Sequence, residues 1–310
     1  MRRRWLGFLM AVGLVAAFPS AAQAAGHFSG WSTPVGLGCG LINSRGNDSG
    51  PAISKNDLSL YFASDVAGAP VRIYVSQRAS VDDAWGTPVA LGSNVNDGIH
   101  SSSVPSLSRD GHWLFFNSNR GFGDIDIWAS YRERVHDDFD WQPAVNLGPG
   151  VNTSGFEAGA SYFENDGGAP QLFFGRADMS SNQFTKTKIM VSEQLPDGTW
   201  GTATEVSELN SAFPYGTQRP SIRFDGLEIF FYSMRPGGLG GSDIWVATRQ
   251  SVDDVWNVPV NLGAPVDTSL ADFHPQISGD GLTLYFASSN QDGICGGFNL
   301  FVTTRTRVHG

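Results

Sequence analysis

The sequence predicts an all-β protein, a five-bladed β-propeller of four-stranded blades. Three observations carry this prediction: tryptophans at a nearly fixed spacing, Asp-Gly turns in step with them, and low charge with abundant glycine. Of the 310 residues, 41% are apolar, 16% are charged and 38 are glycine. This composition supplies enough apolar side chains for a large core and excludes a disordered or fibrous chain.

The tryptophan repeat defines the structural unit. Five tryptophans are separated by 54, 56, 59 and 56 residues, and they are Trp31, Trp85, Trp141, Trp200 and Trp256. Four of them begin a segment close to Trp-x-x-Pro-Val-x-Leu-Gly, and the copy at Trp200 is degenerate. Units of this length are typical of a radial propeller, whereas a β-solenoid needs far shorter repeats. The tryptophans and the Phe-Phe runs are expected in the core between blades.

Each unit contains four predicted strands. A short first strand, such as residues 105–108, ends in an Asp-Gly turn, where glycine supplies the positive φ of a tight hairpin. An apolar second strand follows, then a loop and a third strand, as at residues 114–116 and 126–128. The fourth strand is the tryptophan segment.

The order of strands along the chain predicts how the ring closes. The chain opens with a fourth strand over residues 31–37 and ends with a third strand over residues 298–303. The N-terminal strand is therefore expected to close the last blade. Cys39 and Cys295 flank these neighbouring strands at the same end, and a disulfide between them is predicted, with two free thiols as the alternative.

An export signal is predicted over residues 1–24. Three arginines precede an apolar stretch of about 14 residues and the small-residue run ending at Ala24. Cleavage near Ala24 leaves a single domain, residues 25–310, expected as a monomer in the periplasm or outside the cell. The stretch is short for a membrane span. The remaining 17 basic and 30 acidic residues give a net −13, which disfavours nucleic acid and anionic membranes as partners.

The repeats resemble the WD40-like family called PD40, found in the propeller half of TolB and in many exported bacterial propellers. The resemblance rests on Pro-x-(Ile/Leu)-Ser-x-Asp-Gly-x-x-Leu-x-Phe, on Trp-x-x-Pro-Val-Asn-Leu-Gly, and on residues 117–128 and 235–245. It covers nearly all of residues 31–305 and implies an exported binding module. The chain lacks TolB's extra N-terminal domain and has five predicted blades where TolB has six, so TolB's partners are not carried over.

Candidate functional residues come before or at the first strand of each blade, in loops expected around one mouth of the channel. The side chains in these loops differ from blade to blade, whereas the turns and core motifs repeat. Such variation on a common scaffold is expected of a ligand site; the alternative is that the loop sequences are simply unconstrained. The candidates for ligand binding are acids, histidines, a tyrosine and an arginine: Asp48, His100, Glu157, Tyr215, Arg219, Asp272 and His274.

Each residue type indicates a chemistry. The acids suit a cation, a polar ligand or general acid–base work, and the histidines suit proton transfer or metal ligation. Arg219 suits a carboxylate-bearing ligand or a structural ion pair, and Tyr215 suits stacking on a sugar or peptide ring. No metal-site spacing is present, so no cofactor is predicted; a structural calcium ion at the surface is the alternative.

Two functions of different classes follow. The first expectation is a non-catalytic module that binds a periplasmic or envelope protein, a glycan or a peptide through these loops. The alternative is a glycan-active hydrolase or lyase that uses carboxylates at the channel mouth. Five-bladed glycosidases project carboxylates from their first three blades; Asp48 and Glu157 match blades one and three, whereas blade two offers His100. No serine-hydrolase elbow, phosphate loop or dinucleotide fingerprint occurs.

Overall fold

Five four-stranded antiparallel sheets form the blades of a five-bladed β-propeller, as predicted. The computed structural model describes residues 28–121, 124–177, 183–289 and 295–308, so the predicted signal peptide lies outside the described residues. In these ranges the one helix is the single turn α1 (Gln183–Lys186). No helix in the described ranges is both long enough and apolar enough to cross a membrane.

Each blade takes its strands in chain order, and blade 5 takes its outermost strand from the N-terminus. Blade 1 contains β2 (Asp48–Ile53), β3 (Ser59–Ser64), β4 (Arg72–Gln77) and β5 (Val89–Ala90). Blade 2 contains β6 (Ser102–Leu107), β7 (Trp113–Ser118), β8 (Asp126–Tyr131) and β9 (Val145–Asn146). Blade 3 contains β10 (Phe156–Phe163), β11 (Gln171–Ala177), β12 (Lys188–Glu193) and β13 (Thr204–Glu205). Blade 4 contains β14 (Thr217–Ile222), β15 (Glu228–Ser233), β16 (Asp243–Thr248) and β17 (Val260–Asn261), and blade 5 contains β18 (Asp272–Ile277), β19 (Thr283–Ser288), β20 (Asn299–Thr304) and β1 (Val35–Gly36).

The first strands line the central channel, because each contacts the first strands of both neighbouring blades. They begin earlier than the sequence predicts: blade 2 starts at Ser102, three residues before the predicted start. A bulge in every first strand explains the difference, since it lets the sheet continue past an irregular residue. Five candidate residues therefore lie within first strands and not in the preceding loops: Asp48, Glu157, Arg219, Asp272 and His274.

The core consists of five seams between blades. A phenylalanine from the second strand of each blade packs against an aliphatic residue in the third strand of the preceding blade; Phe116, for example, packs against Ile73. The equivalent residues are at most 2% exposed, and they are Phe62, Phe116, Phe174, Phe231 and Phe286. Truncating such a side chain typically costs about 3–5 kcal/mol, so these seams hold the blades in a fixed order.

Four of the five repeated tryptophans lie under an arginine from the end of a third strand. The pairs, with the distance from guanidinium carbon to ring centroid, are Arg78–Trp85 (4.3 Å), Arg132–Trp141 (4.4 Å), Arg249–Trp256 (4.3 Å) and Arg305–Trp31 (4.6 Å). Such distances are typical of cation–π contacts. In the degenerate copy, Gln194 takes this place beside Trp200. The tryptophans belong to the scaffold, which confirms the core prediction.

A side chain after each fourth strand ties it to the third strand, and in every blade except blade 3 this residue is buried. In four blades this residue is an asparagine that both accepts from and donates to one backbone residue, and the pairs are Asn43–Leu300, Asn96–Ile73, Asn152–Ile127 and Asn210–Ile189. In blade 4 the residue is Asp267, which accepts from the Ile244 amide at 2.8 Å. Burial, and then the charges of Asp243 and Asp272, raise the pKa of Asp267 to about 8. Asp267 is therefore mostly protonated at pH 7 and, like the asparagines, uncharged; its second oxygen lies 2.9 Å from Asn261 Nδ2 and 3.0 Å from the Gly263 amide.

We expect Asp267→Asn to stabilise the protein at pH 8, with a gain that shrinks towards pH 4. The folded pKa of about 8 lies above the ordinary 3.8, so the contribution of Asp267 is fully present below pH 3.8 and is lost as the pH rises through 8. Asparagine has no such proton to lose. At pH 8, thermal unfolding should show a melting temperature at least about 3 °C higher for Asp267→Asn than for the wild-type protein.

The reverse change, Asn152→Asp, is the matched control and should make stability fall with rising pH. A gain in Asp267→Asn that is equal at every pH would show that the proton is not involved.

The ring closes as predicted, through an N-terminal strand that completes blade 5. Strand β1 pairs antiparallel with β20, with Val35 opposite Val302. The predicted Cys39–Cys295 disulfide joins the same region across 256 residues, with 5.7 Å between the two Cα atoms. A disulfide indicates an oxidising compartment, which agrees with an exported protein.

We expect the double substitution Cys39→Ser/Cys295→Ser to lower thermal stability substantially. The bridge closes a loop so long that the chain-entropy account gives about 5 kcal/mol of stabilisation. Thermal unfolding of the variant should match that of the reduced wild-type protein. If the variant has the same melting temperature as the oxidised wild-type protein, strand pairing alone closes the ring.

Candidate functional site in the central channel

Three of the predicted acids occupy one equivalent position at the start of a first strand. Asp48, Glu157 and Asp272 are fully buried. Each carboxylate accepts hydrogen bonds from the backbone amide and the hydroxyl of the residue four positions earlier; the amide distances are 2.6 Å from Ser44, 3.0 Å from Thr153 and 2.7 Å from Thr268. The three acids hold the inter-blade loops against the first strands. A ligand-binding role for them stays a prediction.

In blades 2, 3 and 4 an arginine donates hydrogen bonds to a side chain near the start of the first strand. In blade 3, Arg176 donates to the Glu157 carboxylate at 2.9 Å and to the Val151 carbonyl at 2.6 Å. The equivalent pairs are Arg120 with the Ser102 hydroxyl and Arg235 with the Thr217 hydroxyl. Each of these two arginines also donates to a carbonyl of the preceding loop. These arginines are therefore satisfied by the scaffold.

We expect Glu157→Ala to destabilise the fold by about 3–5 kcal/mol, because it leaves the mostly buried Arg176 without its carboxylate. Glu157→Gln keeps one acceptor and should lose less. Chemical unfolding measures both effects, and Asp166→Asn, at an exposed ion pair with Arg109, is the control with little expected change. A Glu157→Ala protein as stable as wild type would argue against the scaffold role.

His100 and Tyr215 lie outside the strands, in the segments just before the first strands of blades 2 and 4. The His100 Nδ1 atom lies 2.8 Å from the Asp97 carboxylate, and the histidine side chain is 39% exposed. Burial alone would raise the pKa of Asp97, but hydrogen bonds from His100 outweigh it and lower that pKa to about 2. Tyr215 accepts a hydrogen bond from Ser211 at its backbone carbonyl. Among the described contacts, none joins Tyr215 to His100.

One residue at the bulge of each first strand has a positive φ. The five equivalent residues are Gly50 (60°), Val104 (49°), Gly159 (68°), Arg219 (52°) and His274 (54°). Glycine adopts this conformation readily, whereas the other three side chains are held there against a local energetic cost. In four blades the next residue is proline, a signal in the sequence that could have placed these residues in one register.

The glycines make room for their neighbours around the ring. A Cβ atom at Gly159 would lie 2.6 Å from Arg219 Cγ, and one at Gly50 would lie 2.9 Å from Val104 Cα. The Arg219 side chain in blade 4 therefore passes directly over Gly159 in blade 3. Any larger residue at position 159 would displace it.

Arg219 and His274 lie together on the channel wall with unsatisfied polar atoms. The Nε and Nη1 atoms of Arg219 and the Nδ1 atom of His274 are buried and have no hydrogen-bond partner in the described chain. Taken as whole residues, both are half-buried. Burial lowers the pKa of Arg219 and outweighs its hydrogen-bonding contact with the Tyr232 side chain, although a guanidinium remains charged. Burial, and then the Arg219 charge, lower the pKa of His274 well below its ordinary value, so His274 is neutral at pH 7.

Tyr232 in β15 completes this group, which we call the channel cluster: Arg219, His274 and Tyr232. The Tyr232 hydroxyl donates to Gln218 Oε1 at 2.8 Å, and its ring centroid lies 5.6 Å from that of His274. Burial raises the pKa of Tyr232, so the hydroxyl stays protonated. Sequence reasoning missed Tyr232, because it ends an apolar run that reads as core.

The opposite mouth carries a separate cavity of about 630 Å³, lined by turns from all five blades. Phe224 lies across this end, with the Arg109 guanidinium 5.9 Å from its ring centroid. Much of the lining charge is paired internally, as in the contacts of Arg223 with Asp225 and Glu228. No residue predicted from the sequence as a ligand site lines this cavity, so the candidate site remains the channel cluster.

No family model matches the chain, and no curated protein matches it. Solved structures similar to this chain include an arabinanase from Bacillus subtilis, 13% identical, covering 89% of this chain and 97% of that chain, with a TM-score of 0.57. A GH43_1 enzyme from Xanthomonas citri is 14% identical over 89% and 91% of the two chains, with a TM-score of 0.58. An α-L-arabinofuranosidase from Lactobacillus brevis is 14% identical over 87% and 96%, with a TM-score of 0.56. At these identities the likeness establishes the fold.

These neighbours correct the functional expectation drawn from the sequence. The non-catalytic binding module, expected first, is the wrong choice of the two, because the structures that share this fold over most of the chain include glycoside hydrolases of family 43. Membership of the PD40 family stays a prediction, since no family model matches.

Proposed function

We propose that this protein is a glycan-active enzyme whose active site is the channel cluster. The single observation that carries the proposal is a guanidinium with two unpartnered nitrogens and no ion pair in the described chain, beside a neutral imidazole on the channel wall. A guanidinium stabilises negative charge that develops in a transition state, and a neutral imidazole accepts a proton. A site that only binds a ligand needs no proton acceptor, so this pair favours chemistry.

The position of the cluster supports the same proposal. Arg219 and His274 stand on first strands, which are held in the ring by neighbours on both sides, and rigid elements place reacting groups more accurately than loops do. Both residues have the positive φ that recurs at the bulge of every first strand, and because neither is a glycine each is held in a strained conformation. The similar solved structures include an arabinanase and an α-L-arabinofuranosidase, which makes carbohydrate polymers the first substrates to test.

Each residue of the cluster has a distinct role. His274 is the general base, because its depressed pKa leaves the ring unprotonated at pH 7. Arg219 binds the group on which negative charge develops. Tyr232 is a positioning residue: its ring packs beside the His274 ring, and its hydrogen bond to Gln218 holds the Tyr232 side chain in place.

We expect the wild-type protein to shorten at least one polysaccharide in a panel of neutral and acidic polymers, and His274→Gln to reduce the rate by about 100-fold or more. The rate should stay constant as the pH falls through 6.5, because the His274 pKa lies well below that value. Chromatography with mass detection measures the products.

The matched control is His136→Gln, on the exposed turn of the opposite face, which should keep wild-type activity. Circular dichroism establishes that both variants fold. Either no cleavage by the wild type or full activity in a folded His274→Gln protein would refute the proposed function.

A further inference from the structure

We infer that the glycan bound in the channel contains a uronic acid, and that its chain is cut by β-elimination instead of hydrolysis. This inference rests on the proposed function, because it names the substrate class and the reaction of the same site.

The charge of Arg219 supports an acidic substrate. The protein has 30 acidic residues, yet none of those described forms an ion pair with this guanidinium. Burying a charge without a partner costs several kcal/mol, and a carboxylate is the planar acceptor that matches a guanidinium best. A neutral sugar offers only hydroxyl groups. A uronate supplies both the missing charge and a ring that the channel wall can hold.

The acids of the first strands argue against hydrolysis. Glycoside hydrolysis ordinarily needs two carboxyl groups flanking the glycosidic bond, one to protonate the leaving oxygen and one to act as base or nucleophile. Asp48, Glu157 and Asp272 are the acidic residues that lie in the described first strands, which line the channel. All three are fully buried and hydrogen-bonded to the backbone, so their oxygens are already engaged.

Elimination needs what the channel cluster provides. Arg219 pairs with the uronate carboxylate and stabilises the negative charge that develops when the adjacent carbon, C5, loses its proton. Neutral His274 takes that proton, the C5–H electron pair forms a C4–C5 double bond, and the bond from C4 to the glycosidic oxygen breaks. The glycosidic oxygen keeps the electron pair of the broken C4–O bond and receives from His274 the proton that was removed from C5. No water is consumed, and the base returns to its neutral form.

The test compares acidic and neutral polymers. Polygalacturonate, alginate and a glucuronan form the acidic arm, and arabinan and xylan form the neutral arm. We expect an acidic polymer to yield products that absorb ultraviolet light through the new double bond and whose summed mass shows no added water. The neutral polymers should remain intact.

Arg219 variants test the recognition of the carboxylate. Arg219→Met should lower kcat/KM for the acidic polymer by about 100-fold, and Arg219→Lys should retain part of it, since the charge remains but the planar donor is lost. Arg134→Met, whose side chain is 68% exposed on the opposite face, is the matched control with no expected loss.

A binding measurement keeps the inference testable if Arg219→Met does not fold. Monomeric galacturonate should raise the melting temperature of the wild-type protein, whereas galactose, its neutral counterpart, should not. Equal shifts for the two sugars would overturn the acidic substrate class.

The outcomes separate the two proposals. Cleavage of arabinan or xylan with uptake of water and no double bond would overturn the inference and leave the proposed function standing. Cleavage of an acidic polymer with added water would overturn elimination alone. No cleavage of any polymer would overturn both.

Discussion

The packing of each second strand against the third strand of the preceding blade is the contact on which the rest of the structure depends. Phe116 on Ile73 is one instance, and four equivalent contacts complete the ring. β1 completes blade 5, and the Cys39–Cys295 bridge holds it there, so every seam lies between two complete blades. The first strands are then forced together around one axis, which fixes the distances across the channel wall.

The scaffold leaves one position free to vary in chemistry. The turns, the Arg–Trp contacts and the buried asparagines recur because each satisfies a backbone or packing requirement that is the same in every blade. The bulge residue must accept a positive φ and must fit its neighbour in the next blade, as Gly159 does beneath Arg219, but its chemistry is not the same in every blade. Two blades fill it with glycine, and blades 4 and 5 fill it with Arg219 and His274.

Two buried arginines illustrate how charge separates scaffold from function. Arg176 has a carboxylate at 2.9 Å and a carbonyl acceptor, so its burial stabilises the fold. Arg219 has two buried nitrogens without a partner and no ion pair in the described chain, so the fold leaves much of its burial uncompensated. The neutral His274 lies beside it. This contrast with Arg176 is the reason that the proposed site is placed at Arg219 and His274.

The sequence by itself determined the number of blades, the closing strand and the disulfide, because these follow from local patterns: tryptophan spacing, Asp-Gly turns and the place of two cysteines. It also identified Arg219 and His274 as candidates, but with Asp48, Glu157 and Asp272 as equals. Only the tertiary structure separated them, since burial and hydrogen bonding to residues four positions away depend on the bulges and on how the loops fold back. Tyr232 joined the cluster for the same reason: it lies in an apolar run, and only the packing of blade 4 against blade 5 brings β15 beside β18.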